Sequence, residues 1–537
     1  MLFLEPIIRV YLNYRVIELG TALANIILLV LTILNRVLSG EVNQEKKLIY
    51  FDLVMLMLGA LLLIYQAKFV IFFLLIRQTY FILQFVIFRA FEGKFYKLLV
   101  KNPPISLMLS FAAVIGIGTM LLMLPGSSVS GQVTNLIDAL FTATSATCVT
   151  GLVVLDTGTY FTLFGQLVIL VLIQVGGLGI MTISTAFALM IGQRITLKLE
   201  NVMHSMVGEV QVLDVLKLLR SIVLVTALIE SFGAVVLFFG FARTLPMGQA
   251  VYYAVFHSVS AFCNAGFALW SDSLVSFVDS PLINFGISAL IILGGLGFIV
   301  IIDIYRYYFS PEKVRKLTLH SKIVLTTTLW LILLGFLALY VAEYEGTMKG
   351  FTISRRILSS WFQSVTMRTA GFNTIDIGRF SGASVLIALA LMFIGASPGS
   401  TGGGVKTTTF AVLCLSVVSM LRGKKDLTIF NRKIAMFNAR EATTLVTISA
   451  SIVFAIVFLL LLLEPFAFEK ILFEAISAFG TVGLSMGITS HLSMHGRLLI
   501  TLLMYIGRIG PLTLIYAISI SKKQLNINFA EEKIAIG

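Results

Sequence analysis

Charge is scarce in this chain. Only 12% of its 537 residues are Asp, Glu, Lys or Arg, whereas 58% are hydrophobic and the mean hydropathy is +1.00. A soluble domain carries about a quarter of its residues charged, so this composition excludes a water-exposed domain for most of the length and places it in lipid. Cysteine is rare as well: Cys148, Cys263 and Cys414 form no disulfide framework and no metal-ligand spacing. Residues 125–160 contain no Lys or Arg. Residues 1–15 lack the basic, apolar, small-residue order of a cleaved signal peptide, so the first membrane helix is expected to act as the insertion signal. An enzyme is the weakest reading, because no nucleophile–base–acid set and no sizeable extramembrane segment is in evidence. The net charge of +13 does not point to nucleic acid, since the basic residues gather in a few short loops.

What is present is a repeat. Phe141–Gly151, Phe256–Gly266, Phe362–Gly371 and Phe473–Gly483 share one pattern, with a hydroxyl residue four positions after the Phe: Ser145, Ser260, Thr366 and Ser477. Leu152, Phe267, Phe372 or Leu484 follows the closing glycine. The glycines at 151, 266, 371 and 483 are 115, 105 and 112 residues apart, and the third copy is one residue short. Such a period is the signature of an architecture made of repeats.

Around each copy the chain reads as a long apolar run, a short one, a glycine hairpin and a second long run. A spanning helix needs about 20 apolar residues, and a run of about 10–14 suits a re-entrant segment. The runs fall at 105–124, 135–146 and 161–191; at 219–241, 249–262 and 281–305; at 322–342, 354–367 and an interrupted 382–421; and at 442–463, 467–479 and 498–520. This predicts an all-α integral membrane protein with repeats at 102–205, 206–313, 314–432 and 433–537. All four would be parallel around one central pore. A two-helix extension at 1–101 has spans near 17–35 and 50–67. Asp138 lies near the start of the first short helix, where a carboxylate suits the helix dipole. Lys and Arg gather between the units, at Arg194, Lys198, Arg306, Lys313, Arg315, Lys316, Lys322, Arg422, Lys424, Lys425, Arg432 and Lys433, and after the last run at Lys522 and Lys523. The positive-inside bias puts these loops and the C-terminus in the cytoplasm and opens the hairpins outward. Units that all enter from one side disfavour a secondary transporter with inverted repeats.

A dehydrated cation needs close oxygen ligands, which backbone carbonyls supply where the chain runs extended past an axis. Glycine permits the backbone angles and the close approach, and non-helical backbone at membrane depth is tolerated only when packed in protein or facing water. The filter is therefore assigned to Cys148, Val149, Thr150 and Gly151; Asn264, Ala265 and Gly266; Thr369, Ala370 and Gly371; and Thr481, Val482 and Gly483. Hairpins nearly free of acidic residues suit carbonyl rather than carboxylate coordination of K+, the only metal expected.

From about residue 100 onward these segments resemble the filter motifs of the Trk/Ktr/HKT superfamily of potassium transporters, nearest the bacterial Ktr-type subunit. Asp156–Gln166 and Gln174–Gly179 add to the likeness, while the first hundred residues are more like a Trk-type extension. The resemblance implies K+ uptake across the bacterial plasma membrane, with Na+ as a candidate activator and no covalently bound cofactor. Glycine rather than serine at the first filter position implies K+ over Na+, against a Na+-conducting member. It further implies a homodimer on a cytosolic ring of nucleotide-binding, RCK-type regulators. Residues 529–537 resemble a terminus that packs at the dimer interface. The basic loops equally suit anionic membrane lipid, and no nucleic-acid partner is expected.

The second long run of the third unit is interrupted by Gly395–Gly404, which holds five glycines and a proline and cannot continue as a helix. The resemblance implies an intramembrane gate below the filter, assigned to Gly399, Gly402, Gly403, Gly404, Lys406 and Arg508; a glycine-rich segment is also cheap to move. Gly399–Thr407 is not a phosphate loop, because Val405 separates the glycines from Lys406. Arg508 lies in the last apolar run, where charge is costly and usually functional. The alternative is a residue that snorkels to water. Glu230 is expected to bond a neighbouring helix, with a proton or Na+ site as the alternative. His257 is read as a packed neutral residue, and Arg368 as a brace for the third filter segment.

Overall fold

The computed structural model describes residues 103–190, 212–309, 316–424, 426–511, 513 and 514. The 1–101 extension and residues 529–537 lie outside the described residues. The first unit comprises α1 (Pro103–Leu122), α2 (Leu136–Thr147) and α3 (Leu163–Met190). The second comprises α4 (Val212–Phe241), α5 (Met247–Phe262), α6 (Pro281–Leu296) and α7 (Phe298–Phe309). The third comprises α8 (Leu319–Ala342), α9 (Ile353–Thr366), α10 (Gly382–Phe393) and α11 (Thr407–Leu421). The fourth comprises α12 (Met436–Leu463), α13 (Phe468–Gly480) and α14 (Met494–Ile509). The first helix of each unit carries a stretch long and apolar enough to cross a membrane. Between α11 and α12, the basic loop forms a small hairpin, Leu427–Ile429 paired antiparallel with Arg432–Ile434.

The second long runs at 161–191, 281–305 and 498–520 are expected to be continuous, and each is broken. The breaks fall at Gly179, Gly297 and Gly510, with φ of 89°, 92° and 89° and ψ of 170°, 147° and 139°. That backbone region is open essentially to glycine alone, so the helix stops although the apolar run does not. At Gly297 the bend between α6 and α7 is 97°.

A break at membrane depth exposes peptide groups that have no water to bond. In the second unit they bond the interruption of the third. Phe298 N–H donates to the Gly399 carbonyl at 3.0 Å, and Ser397 and Thr401 N–H donate to Gly295 and Gly294 at 3.1 and 3.2 Å. The two irregular segments satisfy each other.

Carboxylates tie the ends of two units. Glu343, which ends α8, accepts the N–H and hydroxyl of Ser381, the N-cap of α10, at 2.9 Å each, and those of Thr347 at 2.8 Å each. Glu464, which ends α12, accepts the N–H and hydroxyl of Ser493, the N-cap of α14, at 3.0 and 2.6 Å. Asp138 pairs with Arg497 of α14, so it links the first unit to the fourth besides sitting at a helix N-terminus.

Burial raises the Glu343 pKa, but hydrogen bonds from Ser384, Thr347 and Ser381 outweigh it and hold the group below the ordinary glutamate value. Its stabilisation is therefore present above the unfolded value and lost as pH falls through the folded one. Glu343→Ala strands the N–H groups of Ser381 and Thr347 and is expected to cost about 3 kcal/mol. Thermal denaturation in detergent checks this. The wild type is expected to lose part of the difference as pH falls below about 4, and the variant to show a flatter acid limb.

Candidate functional site

Each hairpin is held by its own hydroxyl residue. The carbonyls of Ser145, Ser260, Thr366 and Ser477 accept N–H bonds from Thr150, Ala265, Ala370 and Val482 at 2.8, 2.7, 2.9 and 2.8 Å. The side chains close the other side. The hydroxyls of Ser145, Ser260 and Thr366 donate to the carbonyls of Leu152, Phe267 and Phe372 at 2.7, 2.8 and 2.7 Å. The hydroxyls of Ser145 and Ser477 accept the N–H groups of Gly151 and Gly483 at 3.1 Å each. The one-residue deletion in the third copy is absorbed here, because Thr366 reaches Ala370 four residues on rather than five. Phe141, Phe256, Phe362 and Phe473 are fully buried and anchor the short helices.

Within each hairpin the backbone changes hand. Val149, Asn264, Thr369 and Thr481 have φ of 57°, 59°, 70° and 49°. Two residues later Gly151, Gly266, Gly371 and Gly483 have φ of 91°, 69°, 82° and 89°. Thr150, Ala265, Ala370 and Val482 between them are not in the positive-φ region. This alternation lets successive carbonyls share one side of the strand, which a uniform strand does not allow.

The glycines form a closed ring in sequence order. A methyl group on Gly151 would collide with the Ala265 carbonyl oxygen and lie 3.1 Å from Gly266 Cα. On Gly266 it would lie 2.7 Å from the Ala370 oxygen and 2.8 Å from Gly371 Cα. On Gly371 it would collide with the Val482 oxygen, and on Gly483 with the Thr150 oxygen, 2.9 Å from Gly151 Cα. No side chain fits, and the surrounding groups are peptide oxygens. Above the ring is a cavity of about 410 Å³, lined by the four glycines, with Asp156 and Asp376 among its lining residues and no Lys or Arg.

On the other side, residues 394–406 lie between α10 and α11, closed at their base by a bridge between Ile394 and Val405. Thr401 donates its hydroxyl to the Phe262 carbonyl at 3.2 Å, and Gly403 N–H donates to the Thr481 hydroxyl at 3.0 Å. Lys406 Nζ donates to the Gly402 carbonyl at 2.7 Å. Arg508 is only 6% exposed and donates to the carbonyls of Thr401 and Gly176. It bonds protein, so snorkelling does not describe it.

The remaining singled-out residues do not line the cavity above the ring. Gln174 donates to Glu230 at 3.2 Å, which links α3 to α4. His257 bonds the Tyr253 carbonyl through Nδ1 at 2.7 Å and accepts Leu269 N–H at Nε2, the pattern of a neutral ring. Arg368 is buried, and its Nε has no hydrogen-bond partner among the described residues. The sequence reading missed Gly176, Gly294 and Gly507, where an added methyl would strike the carbonyls of Thr147, Phe262 and Phe479 at the ends of the short helices. Their signal is a second repeat, Gly-Gly-Leu-Gly at 176–179 and 294–297 and Gly-Arg-Ile-Gly at 507–510. Arg508 thus takes the place held by Gly177 and Gly295.

Helices long and apolar enough to cross a membrane define an integral membrane protein. The chain belongs to the TrkH family of cation transport proteins, whose model matches residues 69–528, and it is a multipass plasma-membrane protein. It is 40% identical over 453 residues to the Ktr system potassium uptake protein B of Vibrio alginolyticus, covering 84% of this chain and 98% of that one. With the Bacillus subtilis (strain 168) protein of the same name the identity is 40% over 448 residues, covering 83% and 99%. With the potassium/sodium uptake protein NtpJ of Enterococcus hirae it is 39% over 434 residues, covering 80% and 95%. The fold matches the potassium transporter TrkH from Vibrio parahaemolyticus with a TM-score of 0.62 at 16% identity, covering 95% and 99%.

Gly266→Ala places a methyl among backbone atoms that no side-chain rotation can clear. It is expected to cut ion flux at least a hundredfold with the protein still in the membrane. Ser260→Ala removes one bond and is expected to cost about tenfold. Flux into proteoliposomes, normalised to incorporated protein, checks both.

Proposed function

We propose that this chain is the pore subunit of a potassium uptake system. Four parallel repeats surround one axis, and K+ passes through a filter of backbone carbonyls contributed by all four. The observation that carries this reading is the closed ring of positive-φ glycines, each pressed against a carbonyl oxygen of the next unit. A carbonyl ring replaces the hydration shell of an ion without a fixed negative charge, so the ion binds and still leaves. Asp156 raises the local cation concentration in the outer cavity. The names of the relatives, potassium uptake proteins, agree with K+ as cargo.

Residues 394–406 act as a gate. They lie directly against the filter base, and Thr481, Arg508 and the break at Gly297 hold them there. Displacing them costs several hydrogen bonds, so the bonded arrangement is the closed one. Arg508 adds a positive charge where a K+ would otherwise rest. The basic loops face the cytoplasm and receive a regulatory partner, as the name "Ktr system" suggests for the relatives. We assign that partner to a nucleotide-binding ring and the pore subunit to a homodimer. Na+ acts as an activator rather than as the main cargo.

Growth of a bacterium lacking its own K+ uptake, at limiting K+, tests the function. This chain is expected to restore growth and Gly151→Ser to lose most of the rescue. Failure to rescue with the protein in the membrane and a cytosolic regulator supplied, together with Na+ flux in vesicles, would replace K+ by Na+ as cargo.

A further inference from the structure

Three of the four residues that precede the ring glycines by two positions are β-branched: Val149, Thr369 and Thr481. All three have left-handed backbone angles, where such residues are strained outliers. Strain of this kind persists only where the surroundings impose it, and the surroundings differ between units. Val149 packs on the unbroken part of α3, where its Cγ2 would lie 3.0 Å from a methyl on Gly176. Thr369 and Thr481 pack on the 394–406 loop instead. A methyl on Gly402 would strike the Thr369 hydroxyl and lie 3.1 Å from its Cβ; one on Gly403 would lie 2.9 Å from Thr481 Cγ2. The Thr481 hydroxyl, fully buried, takes its hydrogen bond from Gly403 N–H. Thr369 has a second support in the Asn264 amide at 3.3 Å, whereas Thr481 makes no other side-chain hydrogen bond among the described residues.

We infer that gate and filter are one coupled element, joined at Thr481: the docked loop closes the pore and holds the fourth filter strand in its K+-selective shape, and withdrawal of the loop opens the pore and loosens that strand. Thr481 is a positioning residue, acting on the ion through its backbone. The inference rests on reading 394–406 as the gate. Its consequence is that cation discrimination depends on gate position. The filter is most selective while the loop is docked or has just moved, and selectivity falls if the loop stays away.

The test uses the full chain in proteoliposomes, with K+ and Na+ uptake measured separately. Thr481→Val keeps the shape and removes the acceptor. It is expected to raise total uptake about tenfold, the effect of losing one buried hydrogen bond, and to lower the K+/Na+ ratio at least fivefold. Thr481→Ser, which keeps the hydroxyl, is expected to bring both back toward wild type. Gly402→Ala pushes the loop off Thr369 without altering a filter residue and is expected to lower the ratio in the same way; it also serves if the Val variant does not fold. A wild-type ratio in both variants overturns the inference. Deletion of 398–404 separates the two readings. Raised flux on deletion with an unchanged ratio in the point variants leaves a gate without coupling, and unchanged flux on deletion overturns the gate itself.

Discussion

Peptide groups inside a membrane must find their partners within the protein, and every irregular segment described here is shaped by that demand. The four hairpins interrupt helical bonding at membrane depth, and each is re-bonded by one hydroxyl residue of the short helix before it, through its carbonyl and its side chain. The break at Gly297 finds its partners in a neighbouring interruption. Arg508 satisfies carbonyls left over at Thr401 and Gly176. The hydroxyls of Ser145, Ser260 and Thr366 and the Arg508 guanidinium are all spent on backbone carbonyls.

This demand also accounts for how the ring is assembled. Each glycine lies against the carbonyl of the next unit, so no unit completes its part alone. The long helices supply the apolar surface, the buried phenylalanines seat the short helices, and the hydroxyl residues fix each strand's reach. The carbonyl positions then follow from covalent geometry, with no side chain lining the ring.

The parts legible in the sequence are those where pattern and geometry have the same period. The Phe, hydroxyl and Gly of each copy are local and recur four times, so the hairpins and their short helices are placed to within a residue or two. Breaks at Gly179, Gly297 and Gly510 are not legible by hydropathy, because the apolar run crosses them and a lone glycine inside a helix is tolerated. Only comparison of 176–179, 294–297 and 507–510 with one another reveals them. The link from Asp138 to Arg497 and those from Glu343 and Glu464 to N-cap serines join residues far apart in sequence, and no local pattern encodes such pairings. The contact between Gly403 and Thr481 belongs to the same group. Glycine richness at 395–404 announces the loop but not what it touches.

The four strands belong to one chain, and this has a consequence for symmetry. In a pore made of four identical subunits, any substitution appears four times, so an arginine or an inserted loop at one position would crowd the axis from every side. Here Arg508 stands once, where Gly177 and Gly295 stand in other units, and the loop occurs in the third unit alone. A single continuous chain lets a near-fourfold ring of glycines carry a lopsided part, because an arginine or a loop placed in one unit is not imposed on the other three.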